Sequence, residues 1–146
     1  MSYEQLKLSN QLCFPVYAAS RLIIREYQPY LDKLGITYLQ YLVLMILWEV
    51  GNLPVNDIAK KLILNTNTIT PLLKRLEQQG IVERNRSRID ERKVIIELTP
   101  KGKRMKAKAA MIPQALVAKL LEEQVPLDDM IQLKKQLEEI IDKLSG

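Results

Sequence analysis

Cys13 and a tyrosine four residues later, Tyr17, are the side chains of this 146-residue sequence whose types and spacing suit redox chemistry. If a helix begins between residues 10 and 12, Cys13 lies in its first turn, where unpaired amide hydrogens and the helix dipole favour a thiolate. Tyr17 then offers a hydroxyl from the same face. Peroxides attack thiolates and convert them to sulfenic acids. The pair suits reaction with a peroxide, although a lone cysteine is more often a small buried hydrophobic residue.

The fate of an oxidised Cys13 follows from the cysteine count. The sequence has no second cysteine, so a sulfenic acid on Cys13 has no intrachain thiol to react with. It must react with a low-molecular-weight thiol, attack a backbone nitrogen or oxidise further. A sulfenate changes the size and charge of the side chain only slightly. We therefore expect the oxidised forms that alter the protein's activity to be those that add bulk or charge, namely a mixed disulfide or an over-oxidised cysteine.

A second group of functional candidates lies in a helix predicted over residues 65–80. Its apolar residues recur at i, i+3, i+4 and i+7 and form one buried stripe, Ile69, Leu72, Leu73 and Leu76. The opposite face is short, polar and free of acidic residues, which suits the major groove of DNA. Its members are Asn67, Thr70, Pro71 and Lys74. Thr66 and Thr68 are expected near phosphates at the helix start.

Residues 81–98 follow as two short apolar runs around a tip, residues 86–92, that is too basic and polar to be buried. A helix that can enter a groove, followed by a basic hairpin, is the outline of a winged helix. Arg92 is expected to enter the minor groove, where a narrow A·T-rich groove attracts guanidinium groups. Arg86 and Arg88 are expected to contact the DNA backbone. An ion pair between Asp90 and Arg75 is expected to aim the hairpin.

The charge distribution and two absences narrow the function. Residues 74–108 hold twelve Lys or Arg and five Asp or Glu, although the whole chain carries only +5. Such a run is often a solvated helix face, but its coincidence with a helix and hairpin favours a phosphate-binding surface. The absence of histidine excludes Ser/His/Asp and Cys/His catalysis and histidine-containing zinc sites. With one cysteine and no glycine-rich phosphate loop, we predict no enzyme, no cofactor and no metal.

The elements that position these residues are mostly helices. We predict helices over about residues 12–34, 38–49, 54–62 and 127–144, and another from 101 to about 123 that Pro113 can kink. Leu53 is expected to add a third strand beside the hairpin. No run approaches 18 uncharged apolar residues and the N-terminus lacks an apolar signal core, so we expect a cytoplasmic protein without a membrane segment.

The last helix repeats its apolar residues at nearly heptad spacing, which indicates a packing seam. The members of this stripe are Met130, Ile131, Leu133, Leu137, Ile140, Ile141 and Leu144. It packs either within the chain or against a second copy. We favour a homodimer, because long terminal helices need more apolar cover than one small domain supplies. The expected organisation is a single domain, residues 1–146, with dimerisation helices at about 5–35 and 101–146 and a winged helix-turn-helix at about 37–100.

This order of elements resembles the MarR family of bacterial transcription regulators. The segments TPLLKRLEQQGIVER and SRIDERKV, with Asp90 and Arg92 in an Asp-x-Arg pattern, are typical of that family. The segments NQLCFPVYAASR and REYQPYLDKLGITYLQYLVLMILWE are similar to its single-cysteine branch, which includes organic hydroperoxide resistance repressors. The resemblance spans residue 7 to the C-terminus and implies a mainly α fold with a small β-hairpin wing. It also implies a homodimeric repressor on an inverted-repeat operator in double-stranded DNA, released when organic hydroperoxides or related oxidants oxidise Cys13.

The same resemblance implies that Tyr17, Tyr27 and Tyr38 are phenols around the sensor. Tyr27 lies fourteen residues after Cys13, about 21 Å along a helix that rises 1.5 Å per residue. A contact between them would therefore need the Cys13 of the other subunit. The tyrosines can also be ordinary core residues. Three alternative functions also remain open. The first is a MarR-type regulator that binds a small non-oxidant ligand between its dimer helices and its DNA-binding lobe. The others are an oligomerising helical protein that does not bind DNA and, as the enzyme alternative, a thiol peroxidase.

Overall fold

The computed structural model describes residues 2–146, which form two compact units divided after Tyr38. In the first unit, two short 3₁₀ turns, Glu4–Leu6 and Leu8–Asn10, precede helix α1, Cys13–Leu34. The helix ends at Gly35, whose φ of 72° is left-handed and whose N–H donates to the Asp32 carbonyl. The predicted start near residue 12 and stop at Gly35 are both confirmed.

Helix α2, Tyr38–Val50, begins at the unit boundary and supplies the apolar centre of the second unit. Tyr41, Val43, Leu44 and Leu47 are all buried. So many buried residues on one 13-residue helix explain why its sequence is apolar on nearly every side rather than striped.

Helices α3, Val55–Leu62, and α4, Thr66–Gln78, form the predicted helix-turn-helix. The stripe predicted for α4 is confirmed, since Ile69, Leu73 and Leu76 are buried and Leu72 is half-buried. Burial of this stripe leaves the opposite face of α4 for solvent or a partner.

Three short antiparallel strands form a sheet in the order β1-β3-β2. They are β1, Leu53–Pro54, β2, Val82–Arg86, and β3, Val94–Leu98. The hairpin pairs Arg84 with Ile96, and Leu53 pairs with the same Ile96 from the other side. The predicted hairpin and the third strand at Leu53 are confirmed.

The C-terminal helices depart from the prediction at one point. The helix predicted from 101 to about 123 is two helices, α5, Pro100–Ala109, and α6, Met111–Glu122. Instead of the predicted kink at Pro113, the structure has a break between the two helices at Ala110. Pro113 has no N–H to donate to the carbonyl four residues earlier and its ring clashes with that carbonyl, so the chain restarts and places Pro113 in a first turn. Helix α7, Leu127–Ser145, follows and has no buried residue.

No single helix in residues 2–146 is long and apolar enough to cross a membrane. Helices α1 and α2 meet that test by length and composition only when they are counted together across their break.

Gly102, in the first turn of α5, lies where backbone segments meet. Its N–H donates to the Thr99 hydroxyl that caps the helix (3.2 Å), and its carbonyl accepts the Trp48 indole N–H (3.0 Å). A Cβ added here would overlap the carbonyl oxygen of Ile81. Because that neighbour is backbone, it cannot rotate away.

We therefore expect Gly102→Ala to lower the free energy of unfolding by about 3 kcal/mol. Denaturant titration at a fixed protein concentration measures this change. As a control, Ala107→Met adds atoms on the exposed side of α5 and should change it by less than about 0.5 kcal/mol. Equal effects of the two variants would contradict the close approach at Gly102.

Candidate nucleic-acid interface and cysteine site

Asn65 fixes the start of α4. Its side-chain Oδ1 accepts the Asn67 N–H at 2.8 Å, which caps the helix. Thr66 is half-buried, and Asn67 and Thr68 are exposed. Their backbone N–H groups belong to the first turn, where the helix dipole favours anions. The predicted phosphate-side residues thus lie at an accessible helix start.

The predicted groove face of α4 is accessible along most of its length. Asn67, Pro71 and Lys74 are exposed, and so is Arg75 at its edge. Thr70 is half-buried, and its hydroxyl donates to the Thr66 carbonyl at 2.8 Å. Its proton is therefore used within the helix, which leaves the hydroxyl oxygen as an acceptor and the methyl group as an apolar contact.

Local hydrogen bonds hold the hairpin tip, residues 86–92, together with Lys93 beside it. The Ser87 hydroxyl accepts the N–H groups of Ile89 and Asp90, each at 3.2 Å, and the Ser87 N–H donates to the Lys93 carbonyl at 2.8 Å. The Arg86 guanidinium donates to the Glu91 carbonyl at 2.9 Å. Arg88 remains exposed at the tip.

The expected ion pair between Asp90 and Arg75 is wrong, because Asp90 pairs with Arg92. Its Oδ1 accepts the backbone N–H of Arg92 at 3.1 Å and the side-chain Nε at 3.2 Å. A partner two residues away closes a far smaller loop than Arg75 would and costs less chain entropy. The pair engages Nε, and the side chain that carries the two terminal nitrogens is 91% exposed.

This pairing has a measurable consequence for the titration of Asp90. The hydrogen bonds from Arg92 lower the pKa of the Asp90 carboxyl below its usual 3.8. Because the pKa is lowered, the pair is intact above that range and is lost only as the pH falls through the folded-state pKa. We expect the NMR titration midpoint of the Asp90 carboxyl to lie below 3.8 and to move upward in Arg92→Ala. Equal midpoints in the two proteins would show that the pair does not form in solution.

A polar cleft of about 400 Å³ separates the starts of α3 and α4 from the base of the hairpin. Its charged lining consists of Asp57, Arg84, Arg92 and Lys93. Arg84 and Lys93 were not among the residues singled out from the sequence. Arg84 had a usable signal, because it lies two residues after the buried Val82 on the same strand and so on the same face of the sheet.

Cys13 is the first residue of α1 and is exposed. The residue before it, Leu12, contributes no side-chain cap, so the first-turn amides around the sulfur are left without side-chain acceptors. Within the described chain, residues 2–146, the sulfur has no hydrogen-bond partner. Tyr17 lies one turn later, 61% exposed, with the Arg21 guanidinium 5.5 Å from its ring centre.

The three tyrosines predicted to surround the sensor lie in two different places. Tyr27 and Tyr38 lie together, with ring centres 5.2 Å apart and planes tilted by 50°. Burial raises the pKa of the Tyr38 phenol above its usual 10.0, which strengthens the preference for the protonated form that a tyrosine already has at physiological pH. Tyr17 lies ten residues before Tyr27 on α1, about 15 Å along the helix. Within a single chain, Cys13 and Tyr17 are therefore far from the other two tyrosines.

Known proteins show similarity over the whole chain. The family described as transcriptional regulator SarA/Rot matches residues 25–109. The organic hydroperoxide resistance transcriptional regulator of Bacillus subtilis is 46% identical over 97% of this chain and 95% of its own length. The regulator SarZ of Staphylococcus saprophyticus is 36% identical over 98% of this chain and 96% of its own.

Solved structures agree in sequence and in fold. AbfR, a protein of Staphylococcus epidermidis, is known in a reduced form bound to DNA. That structure is 39% identical, covers all of both chains and superposes with a TM-score of 0.78. The over-oxidised form of AbfR bound to DNA matches with the same identity, coverage and TM-score. The winged helix, the accessible α4 face and these relatives together show that the chain belongs to the MarR/SarA family of DNA-binding transcription regulators and is not an enzyme.

Proposed function

We propose that this protein is a homodimeric repressor that oxidation of Cys13 by organic hydroperoxides releases from an inverted-repeat operator. The observation that carries the proposal is the exposed Cys13 at the start of α1 in a chain 46% identical to an organic hydroperoxide resistance regulator. The protein would act in the cytoplasm, where its operator is. On the DNA, Asn67, Thr70 and Lys74 would read the major groove and Arg92 would enter the minor groove.

The case for a homodimer comes from apolar surface that one chain leaves open. Helix α7 exposes Ile131, Leu133, Ile140 and Ile141, although their near-heptad spacing is that of a packing seam. Helix α1 also exposes Phe14 and other large apolar residues. We propose that the terminal helices of two chains cover these surfaces. A dimer then presents two α4 helices, as an inverted repeat requires.

The proposed chemistry has two steps, oxidation of the Cys13 thiolate and formation of a mixed disulfide. The Cys13 thiolate attacks the outer oxygen of a hydroperoxide, which leaves a sulfenic acid and releases the corresponding alcohol once a proton is taken up. A low-molecular-weight thiol then attacks the sulfenic sulfur, which forms a mixed disulfide and releases water. The phenols of Tyr27 and Tyr38 from the second subunit would donate hydrogen bonds to the oxidised sulfur.

The bulk of the adduct, rather than oxidation alone, is the proposed cause of release. Over-oxidised AbfR was crystallised on DNA, which supports the view that added oxygens at such a sulfur are compatible with binding in that relative. For this chain we therefore propose the mixed disulfide as the releasing form. A released protein whose mass shows only the sulfenic acid would contradict this choice.

The direct test is a gel shift on the DNA upstream of the protein's own gene, with reduced protein, with cumene hydroperoxide alone, and with cumene hydroperoxide plus a small thiol. We expect binding by reduced protein, at least tenfold weaker binding after both reagents, and recovery with a strong reductant. Retention of full affinity after both reagents would refute the redox part of the proposal. Failure of the reduced protein to bind would refute the choice of operator.

A second candidate function is supported by a cavity in the second unit. About 380 Å³ in volume, it is lined by Tyr41, Met45, Trp48 and Lys106, among others. Its charged lining consists of Lys106 and Glu49, so with its aromatic walls it suits an aromatic acid that also carries a hydrogen-bond donor. In that case Cys13 would be incidental, and protein alkylated at Cys13 would still lose DNA when such an acid is added. Loss of the response on alkylation would exclude this candidate.

A further inference from the structure

We infer that the polar cleft between α4 and the hairpin holds a phosphate of the DNA backbone and that Arg84 is its main fixed donor. This inference rests on the proposed function, because it requires α4 in the major groove and the hairpin tip in the minor groove. Arg84 belongs to neither the groove face nor the tip. It would be a phosphate-positioning residue, distinct from those that read bases.

The position of the cleft follows from the geometry of a winged helix on a duplex. The major and minor grooves on one face of DNA are separated by a single sugar–phosphate strand. If α4 occupies the first groove and the tip occupies the second, that strand must cross between α4 and the hairpin. The cleft of about 400 Å³ lies there, with Thr66 of α4 on one side and Arg84 and Lys93 of the hairpin on the other.

The charge of the cleft favours an anion. Arg84, Arg92 and Lys93 face it, against one carboxylate, Asp57. Arg92 already donates from Nε to Asp90, so part of its charge is used in that pair. Arg84 and Lys93 therefore supply positive charge that no described ion pair offsets.

Arg84 differs from the other basic residues because part of its guanidinium is buried and lacks an acceptor. Its Nε is inaccessible to solvent and makes no hydrogen bond with any described residue. Because Nε is closed to solvent, an acceptor would bind the terminal nitrogens of the guanidinium, while the Nε end of the group lies against the protein. The side chain is only partly exposed, and the residue paired with it across the hairpin, Ile96, is fully buried. A phosphate oxygen is the acceptor whose geometry suits a guanidinium.

The test combines one protein variant with one DNA modification. Arg84→Met keeps an aliphatic stem and removes the charged group, and Arg25→Met removes the same charge from an exposed position on α1 outside the cleft and outside residues 74–108. Fluorescence anisotropy would measure the affinity of wild type and both variants for the operator and for a scrambled duplex over a series of salt concentrations.

We expect Arg84→Met to weaken binding about tenfold on both duplexes, because a phosphate contact carries no base information. The slope of log affinity against log salt should fall by about 0.9 for each protomer on the DNA, and Arg25→Met should leave it unchanged. An unchanged slope for Arg84→Met would overturn the assignment. If wild type binds neither duplex, the proposed function fails, which is a different result.

A scan with neutral methylphosphonates at single positions provides a readout that does not depend on the folding of the variant. At one position between the two grooves, wild type should lose about tenfold and Arg84→Met should lose nothing further. Absence of any such coupled position would overturn the inference. Inorganic phosphate at matched ionic strength distinguishes the source of the anion. If it competes with DNA for wild type but not for Arg84→Met, free phosphate and the DNA backbone share the cleft, as the inference requires. If it binds at Arg84 without displacing DNA, the cleft is a site for free anions and the assignment to the DNA backbone is wrong.

Discussion

Replacement of Arg92 by alanine is expected to weaken operator binding at least 100-fold, equivalent to about 2.7 kcal/mol. The structure supplies the reason. Asp90 holds the Nε of Arg92, and the side chain is nearly fully exposed, so its terminal nitrogens are accessible to the minor groove in the proposed complex. The proposed dimer would lose two such contacts. The substitution also leaves the Asp90 carboxylate unpaired near phosphates, which adds repulsion to the loss of attraction.

Anisotropy titration at one fixed salt concentration measures this effect. Circular dichroism and the rate at which cumene hydroperoxide consumes the Cys13 thiol should both be unchanged, because Arg92 contributes to neither the core nor the cysteine site. The double variant Asp90→Asn, Arg92→Ala separates the two causes, since it should recover the part that comes from the exposed carboxylate. Binding of Arg92→Ala within twofold of wild type would exclude the hairpin tip from the DNA interface.

Replacement of Cys13 by serine is expected to leave DNA binding within twofold of wild type and to abolish release by hydroperoxide. Serine is close in size to cysteine at an exposed first-turn position, but it cannot form a sulfenic acid or a mixed disulfide. Wild type treated with cumene hydroperoxide and a small thiol should bind at least tenfold more weakly. The contrast between the two proteins should therefore be at least tenfold.

The measurement is the same gel shift, with the mass of each treated protein recorded. Methionines such as Met45 also oxidise, so the serine variant serves as the control for their contribution. Release of Cys13→Ser by hydroperoxide would show that sensing occurs elsewhere. Release of Cys13→Ser by an aromatic acid, with no effect of peroxide on wild type, would instead favour the cavity at Trp48 and Lys106.

Local patterns were enough to predict most of the fold. The spacing of Ile69, Leu73 and Leu76 determines which side of α4 is buried, because a helix repeats every 3.6 residues whatever surrounds it. Asn65 and Thr99 begin helices through caps that close within two or three residues. Gly35 ends α1 for an equally local reason. The order of these elements was therefore readable without tertiary contacts.

The errors came where two local alternatives compete. Pro113 permits either a kinked helix or a new first turn, and the composition of residues 101–123 fits both. Several arginines could pair with Asp90, and the sequence alone does not favour Arg92 over Arg75. In each case the structure has the arrangement in which backbone hydrogen-bonding groups find partners over the shortest stretch of chain.

The sequence by itself determined the buried stripe of α4, the basic hairpin, the single thiol at a helix start and the absence of histidine chemistry. Only the tertiary structure decided that Arg84 and Lys93 face one cleft with Thr66, that the Tyr27 ring packs against the Tyr38 ring, and that Asp90 engages Arg92. The physical reason is one of range. Helix periodicity and capping act over a few residues, whereas a cleft or a ring pair depends on how separate elements pack.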